Sequence, residues 1–154
     1  MKNGVICILA SVIFFALPAF GFSASFKVYP GAKLEDVYEA KQSEAGGKIS
    51  KAPKVIIFTT DDPFESVVAF YRGIAREYRM PGSTGKPIRL SSGEELKEAY
   101  FIFDDASDIM TSKHWIEIQR PYVSRERTRE GLQGAYGAVR EITAIIEQDK
   151  RSYP

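Results

Sequence analysis

The chain holds one histidine, His114, and one cysteine, Cys7. A Ser–His–acid triad would have to use His114, and no Gly-x-Ser-x-Gly elbow carries a nucleophile for it. Zinc sites made of several histidines or cysteines cannot form, and His114 reads as a surface residue at a strand end. Acids are more numerous. Asp104, Asp105 and Asp108 cluster at one turn, and Asp61 and Asp62 at another. Hard cations take oxygen ligands of this kind, but neither cluster has the Asp-x-Asp-x-Asp-Gly spacing with a downstream Glu of a calcium loop. Aspartates also form turns and cap helices, and these clusters read as turn formers and a cap, with no metal site expected. A carboxylate pair could serve glycoside hydrolysis only at a fixed separation across a cleft, which spacing along the chain does not give. Trp115 shares a strand face with Glu117 and Gln119, while Ile116 and Ile118 point the other way. An indole beside a carboxylate and an amide suits a carbohydrate, a peptide or a partner protein, unless the loop over 124–137 folds across the ring. Trp115, Glu117 and Gln119 are therefore the candidate binding residues, and no residue is assigned a catalytic role. Arg120, Arg125, Arg127 and Arg129 alternate with Glu126 and Glu130, which reads as a solvated charged loop rather than an anion site.

These residues sit in a chain with an export address. Lys2 precedes an apolar run over 5–17, Pro18 breaks it, and Ala19-Phe20-Gly21 places small residues at −3 and −1 for cleavage after Gly21. Cleavage after Ala24 would put Phe22 at −3. An uncleaved anchor is the alternative, but a spanning helix needs about 20 apolar residues. Cys7 lies inside the run and not at its end, which argues against a lipoprotein. Taking 21 residues from 154 leaves 133; losing Lys2 brings the 21 basic residues to 20, level with the 20 acidic ones. That balance offers nothing to nucleic acid, and there is no P-loop or Gly-x-Gly-x-x-Gly. No cofactor is expected. With Cys7 removed, a hydrophobic core alone must hold the chain, which is feasible at this length.

The mature chain divides into a strand-and-loop segment over 22–53 and an α+β domain over 54–150. Residues 25–30 alternate apolar and polar as a short strand; 32–53 read as loop, with a helical turn near 34–40. Val55-Ile56-Ile57-Phe58-Thr59-Thr60 is a strand apolar on both faces. Asp62, Pro63 and Glu65 form a capping box, and Phe64, Val67, Val68, Tyr71, Ile74, Ala75 and Tyr78 keep helical spacing. They predict an amphipathic helix over 63–79. A short strand at 87–90, a strand at 98–104, a turn over 105–112 and a hairpin partner at 113–121 follow. Glycines at 131, 134 and 137 oppose a helix, and β-branched residues favour a closing strand over 139–148. The sum is one antiparallel sheet with a helix on one face, an α+β fold.

Tyr29-Pro30-Gly31-Ala32, Thr59-Thr60-Asp61-Asp62 and Val67-Val68-Ala69-Phe70-Tyr71 resemble the Tyr-Pro-Gly-Ala start, Thr-x-Asp-Asp turn and Val-x-x-Phe-Tyr helix of small secreted bacterial domains of unknown function. Tyr100-Phe101-Ile102-Phe103 and Trp115-Ile116-Glu117-Ile118-Gln119-Arg120-Pro121 are similar to the same domains. The resemblance implies an envelope location and an α+β fold, and brings no catalytic residue.

The functional expectation is an exported, periplasmic or extracellular, noncatalytic protein that binds a small ligand or a partner protein, with no membrane span after cleavage. Two strands apolar on both faces need a second cover, from loops, a partner or a second copy in a homodimer. The alternatives are a small carboxylate-dependent hydrolase or lyase, and a peptide-binding or inhibitor module using a sheet edge or the Trp115 face.

Overall fold

A computed structural model describes residues 24–39, 54–81, 88–90, 93–125 and 136–151. The expected export segment over 1–21 lies outside them, and no helix among them is long and apolar enough to cross a membrane.

The fold is α+β. Its main sheet is built from β1 (Lys33–Glu39), β2 (Lys54–Thr60), β3 (Arg76–Tyr78), β5 (Glu95–Ile102), β6 (His114–Arg120) and β9 (Thr143–Asp149), in the order β1-β2-β9-β6-β5-β3, and β4 (Ile88–Arg89) pairs with β5. These strands pair antiparallel. The expected single sheet is not the whole of it. A separate two-stranded ladder joins β7 (Tyr122–Arg125) to β8 (Tyr136–Arg140).

Alternation assigns the two faces. On one, Ala99 and Phe101 of β5, Ile116 and Ile118 of β6 and Ile145 of β9 pack with Phe103 and the helix residues Val67, Val68 and Tyr71. That helix, α1, is Phe64–Arg72. It is shorter than the 63–79 expected from spacing. Gly73 closes it, Ile74 and Ala75 each donate a backbone hydrogen bond to the Tyr71 carbonyl, and Arg76-Glu77-Tyr78 then pairs with β5. The apolar spacing runs on past the helix: Ala75, in the turn before the strand, joins the helix-side core, whereas Tyr78 of the strand packs on the other face beside Trp115. The capping box does not form. Pro63 is the cap residue, extended at φ −57° and ψ 145°, with no side-chain cap bond. Asp62 instead accepts the Tyr29 hydroxyl at 2.8 Å, and Glu65 pairs with Lys97 at 2.7 Å.

Three further expectations change. Residues 25–30 form no strand. This segment lies across the core and inserts Phe26 among Phe58, Tyr71, Phe103 and His114. The expected loop after it contains β1, an edge strand whose side chains are mostly exposed, so its sequence shows no apolar alternation. The expected strand over 139–148 is extended but broken at Glu141–Ile142 into the end of β8 and β9, and the ends of the 124–137 loop belong to β7 and β8.

Arg120 ties this corner together. Its Nη1 donates to the Asp61 carbonyl at 3.4 Å, the Asp62 carbonyl at 3.2 Å and Thr143 Oγ1 at 3.1 Å, while Nη2 donates to the Glu141 carbonyl at 3.0 Å. A lysine has one ammonium on a flexible stem and cannot span both turns. Arg120→Lys is expected to cost about 1–2 kcal/mol in urea unfolding, the worth of one or two such bonds.

Candidate functional site

The sheet face away from the helix carries a cleft. Strand alternation sends Glu117 and Gln119 of β6 to this face, and the neighbours in register are Ile146 and Ala144 of β9. On one side β1 supplies Glu35, Asp36 and Tyr38; on the other the β7–β8 ladder supplies Tyr122, Val123, Ser124 and Arg140. Ile57 and Gln148 complete the lining of a space of about 350 Å³. The floor is polar and nearly closed to solvent: Glu117 and Gln119 are 8% and 6% exposed. Gln119 is fixed at both ends, its Oε1 accepting the Val123 backbone N–H at 3.0 Å and its Nε2 donating to Glu117 Oε1 at 3.5 Å. The second bond sits at the outer limit of hydrogen-bond length.

A bulge between Leu34 and Asp36 shifts the register of β1 on β2. Glu35 takes the Arg140 guanidinium at 2.9 Å and the Thr59 hydroxyl at 3.4 Å. The same guanidinium lies 5.0 Å from the Tyr122 ring centroid, within cation–π range. Burial pushes the Tyr122 hydroxyl above its ordinary value; Arg140 opposes the rise, while Glu35, Tyr38 and Asp36 add to it. Three carboxylates and one guanidinium thus line the cleft among the described residues. The arrangement can accept hydrogen bonds from a polar ligand, stack against two phenol rings, and favour positive over negative charge.

Of the sequence-derived candidates, Glu117 and Gln119 lie in this cleft and Trp115 does not. Trp115 is on the same face but 8% exposed, packed with Ile102, Ile109, Tyr78 and Tyr100, the last at 6.2 Å between ring centroids. Its Nε1 is buried without a hydrogen-bond partner. Among the described residues, the cover comes from β3, β5 and the turn over 105–112; the middle of the 124–137 loop lies outside them. Sequence reasoning missed Glu35, Asp36, Tyr38, Tyr122 and Arg140. Recognising β1 as an edge strand would have supplied the first three.

The other candidates fall elsewhere. His114 is not a surface residue: it is 1% exposed, with Nε2 2.8 Å from Glu147 Oε1. Asp104 and Asp108 build the turn between β5 and β6. Asp104 accepts from the Ala106, Lys113 and His114 backbone N–H groups and the Ser112 hydroxyl. Asp108 accepts from the Met110 and Thr111 N–H groups and the Ser107 hydroxyl. Arg127 and Arg129 lie outside the described residues. No protein-family model, curated protein or solved structure matches the chain.

Proposed function

We propose that this chain is an exported bacterial envelope protein, without catalytic activity, that binds a small polar ligand or a partner's side chain in the cleft opposite the helix. One observation carries the reading: a cavity of about 350 Å³ whose floor is the buried, hydrogen-bonded pair Glu117–Gln119. Buried polar groups at the base of a concave site fix a ligand's orientation. The rim, with Tyr38, Tyr122 and Arg140, supplies contact area and a movable charge. The charged start, apolar run and small-residue exit of residues 1–21 support export. The Tyr-Pro-Gly-Ala and Thr-x-Asp-Asp resemblance points the same way.

Amide chemical-shift titration with a panel of neutral disaccharides, free amino acids and polyamines tests the cleft. At least one probe is expected to move the Gln119, Tyr122 and Val123 signals together. Arg140→Ala is expected to weaken binding of a neutral probe about tenfold, or about 1.4 kcal/mol, and to strengthen that of a polyamine, because Glu35 loses its counter-charge. The thermal midpoint should fall by only a few degrees, because Arg140 and its partner Glu35 are both partly exposed. A panel that leaves those amides unmoved removes the reading. Turnover of a glycoside probe that Glu117→Gln abolishes replaces it with a carboxylate-dependent hydrolase, for which Glu35, Asp36 and Glu117 are the acids at hand.

A further inference from the structure

We infer that His114, Glu147 and Asp149 form a site for one divalent transition-metal ion, zinc foremost, on the helix side of the sheet. The sequence excludes zinc sites with several histidines; this one needs a single histidine and two acids brought together by strand pairing. β6 and β9 set His114 directly opposite Asp149 and Ile116 opposite Glu147. Glu147 and Asp149 are two residues apart on one strand and so share the face that His114 occupies. One donor atom from each residue lies within 4.8 Å of the other two. Ligands about 2.1 Å from a tetrahedral ion stand about 3.4 Å apart. The His114–Glu147 separation of 2.8 Å and the 4.8 Å outer limit bracket that spacing.

One further observation favours an ion. All three side chains are buried, with Phe26 and Phe103 rings 5.9 and 4.9 Å from the imidazole; Asp149 has the Arg151 guanidinium, but Glu147 faces the imidazole, and a carboxylate in such surroundings needs a cation nearby. Nε2, 2.8 Å from Glu147 Oε1, is the ring nitrogen placed to bind the ion, and the buried Nδ1 on the far side of the ring carries the proton. A neutral imidazole between two carboxylates is a nitrogen-and-oxygen donor set that suits zinc or manganese and leaves room for a further ligand. Arg151 is the built-in competitor. It holds both oxygens of Asp149, at 2.9 and 2.7 Å, from a side chain that is more than half exposed. An ion that takes Asp149 must displace this guanidinium into solvent.

The test is equilibrium dialysis of the full chain, purified without a tag and stripped with EDTA, against zinc chloride, with metal counted by mass spectrometry. The expected result is one zinc per chain and a rise in thermal midpoint on adding zinc. Glu147→Gln and Asp149→Asn should each weaken binding tenfold or more. Arg151→Gln, an exposed change that leaves the buried residues in place, should bind zinc several-fold more tightly. That variant keeps the test sharp where the buried ones fail to fold. A wild-type chain that retains no zinc at about 100 μM overturns the site, because even a millimolar-range site would fill measurably there. So does zinc retained equally by Glu147→Gln, Asp149→Asn and wild type, or an Arg151→Gln chain that binds no better.

Discussion

Tyr71→Ala is expected to lower stability by about 4 kcal/mol, and Tyr71→Phe by only about 1 kcal/mol. Tyr71 is fully buried at the centre of the helix-side core, where its ring meets Phe26, Phe70, Phe101 and Phe103 with centroids 5.0 to 6.3 Å apart. Truncation removes all four ring contacts and leaves a cavity that the sheet cannot close, because Phe101 is held by strand pairing. The hydroxyl donates to the Lys27 carbonyl at 3.0 Å and accepts from the Tyr29 backbone. Burial pushes its pKa well above the ordinary phenol value, so it stays a donor at working pH. The phenylalanine variant deletes those bonds and retains the ring contacts. Against a typical total of 5–15 kcal/mol, the alanine variant should show a large fall in urea midpoint and the phenylalanine variant a small one. Equal losses would mean that the hydroxyl, and not the ring, anchors the 24–30 segment.

Asp104→Asn is expected to cost about 3 kcal/mol near neutral pH. The carboxylate collects three backbone N–H groups and one hydroxyl, with Lys113 N–H on Oδ2 at 2.7 Å and Ser112 on Oδ1 at 3.0 Å. An amide turns one acceptor oxygen into a donor facing other donors, and each unsatisfied group costs about 1–3 kcal/mol. The pH dependence follows from the same contacts. Burial alone would raise the Asp104 carboxyl; the bonds from Lys113, Ser112, Ala106 and His114 outweigh it and hold the pKa below 3.8. A carboxyl depressed by folding contributes stability above its unfolded value, and that stability is lost as pH falls through the folded value. The gap between wild type and Asp104→Asn should therefore be constant from about pH 5 to 7 and narrow below about pH 4. Urea unfolding at a series of pH values measures it. A gap that stays the same at pH 3 would show that the ionised form has no special role in this turn.

The strands with internal apolar residues were legible from composition, because β-branched and aromatic runs such as Val55–Phe58 and Tyr100–Phe103 need cover on both faces. The β5–β6 hairpin was legible from the alternation of Lys113–Pro121, and the start of α1 from Pro63 and the helical spacing that follows it, although the expected capping box does not form. What was hidden has a common cause: the information lies in pairing and not in side-chain pattern. β1 is an exposed edge held by backbone bonds, so Lys33–Glu39 looks like a polar loop. β3 continues the apolar spacing of α1, so Arg76–Tyr78 looks like helix. The cleft was half legible, since Glu117 and Gln119 follow from the alternation of β6, whereas Glu35 and Arg140 arrive from strands 105 residues apart in sequence. Trp115 was placed on the correct strand face, but its cover came from Tyr78 of β3, the element misread as helix.

The position of β9 has a consequence for how this chain comes into being. It lies between β2 and β6, so without it β1–β2 and β3–β5–β6 are two ladders with no shared hydrogen bonds. A chain emerging from the ribosome therefore has no continuous sheet until residues 143–149 are made.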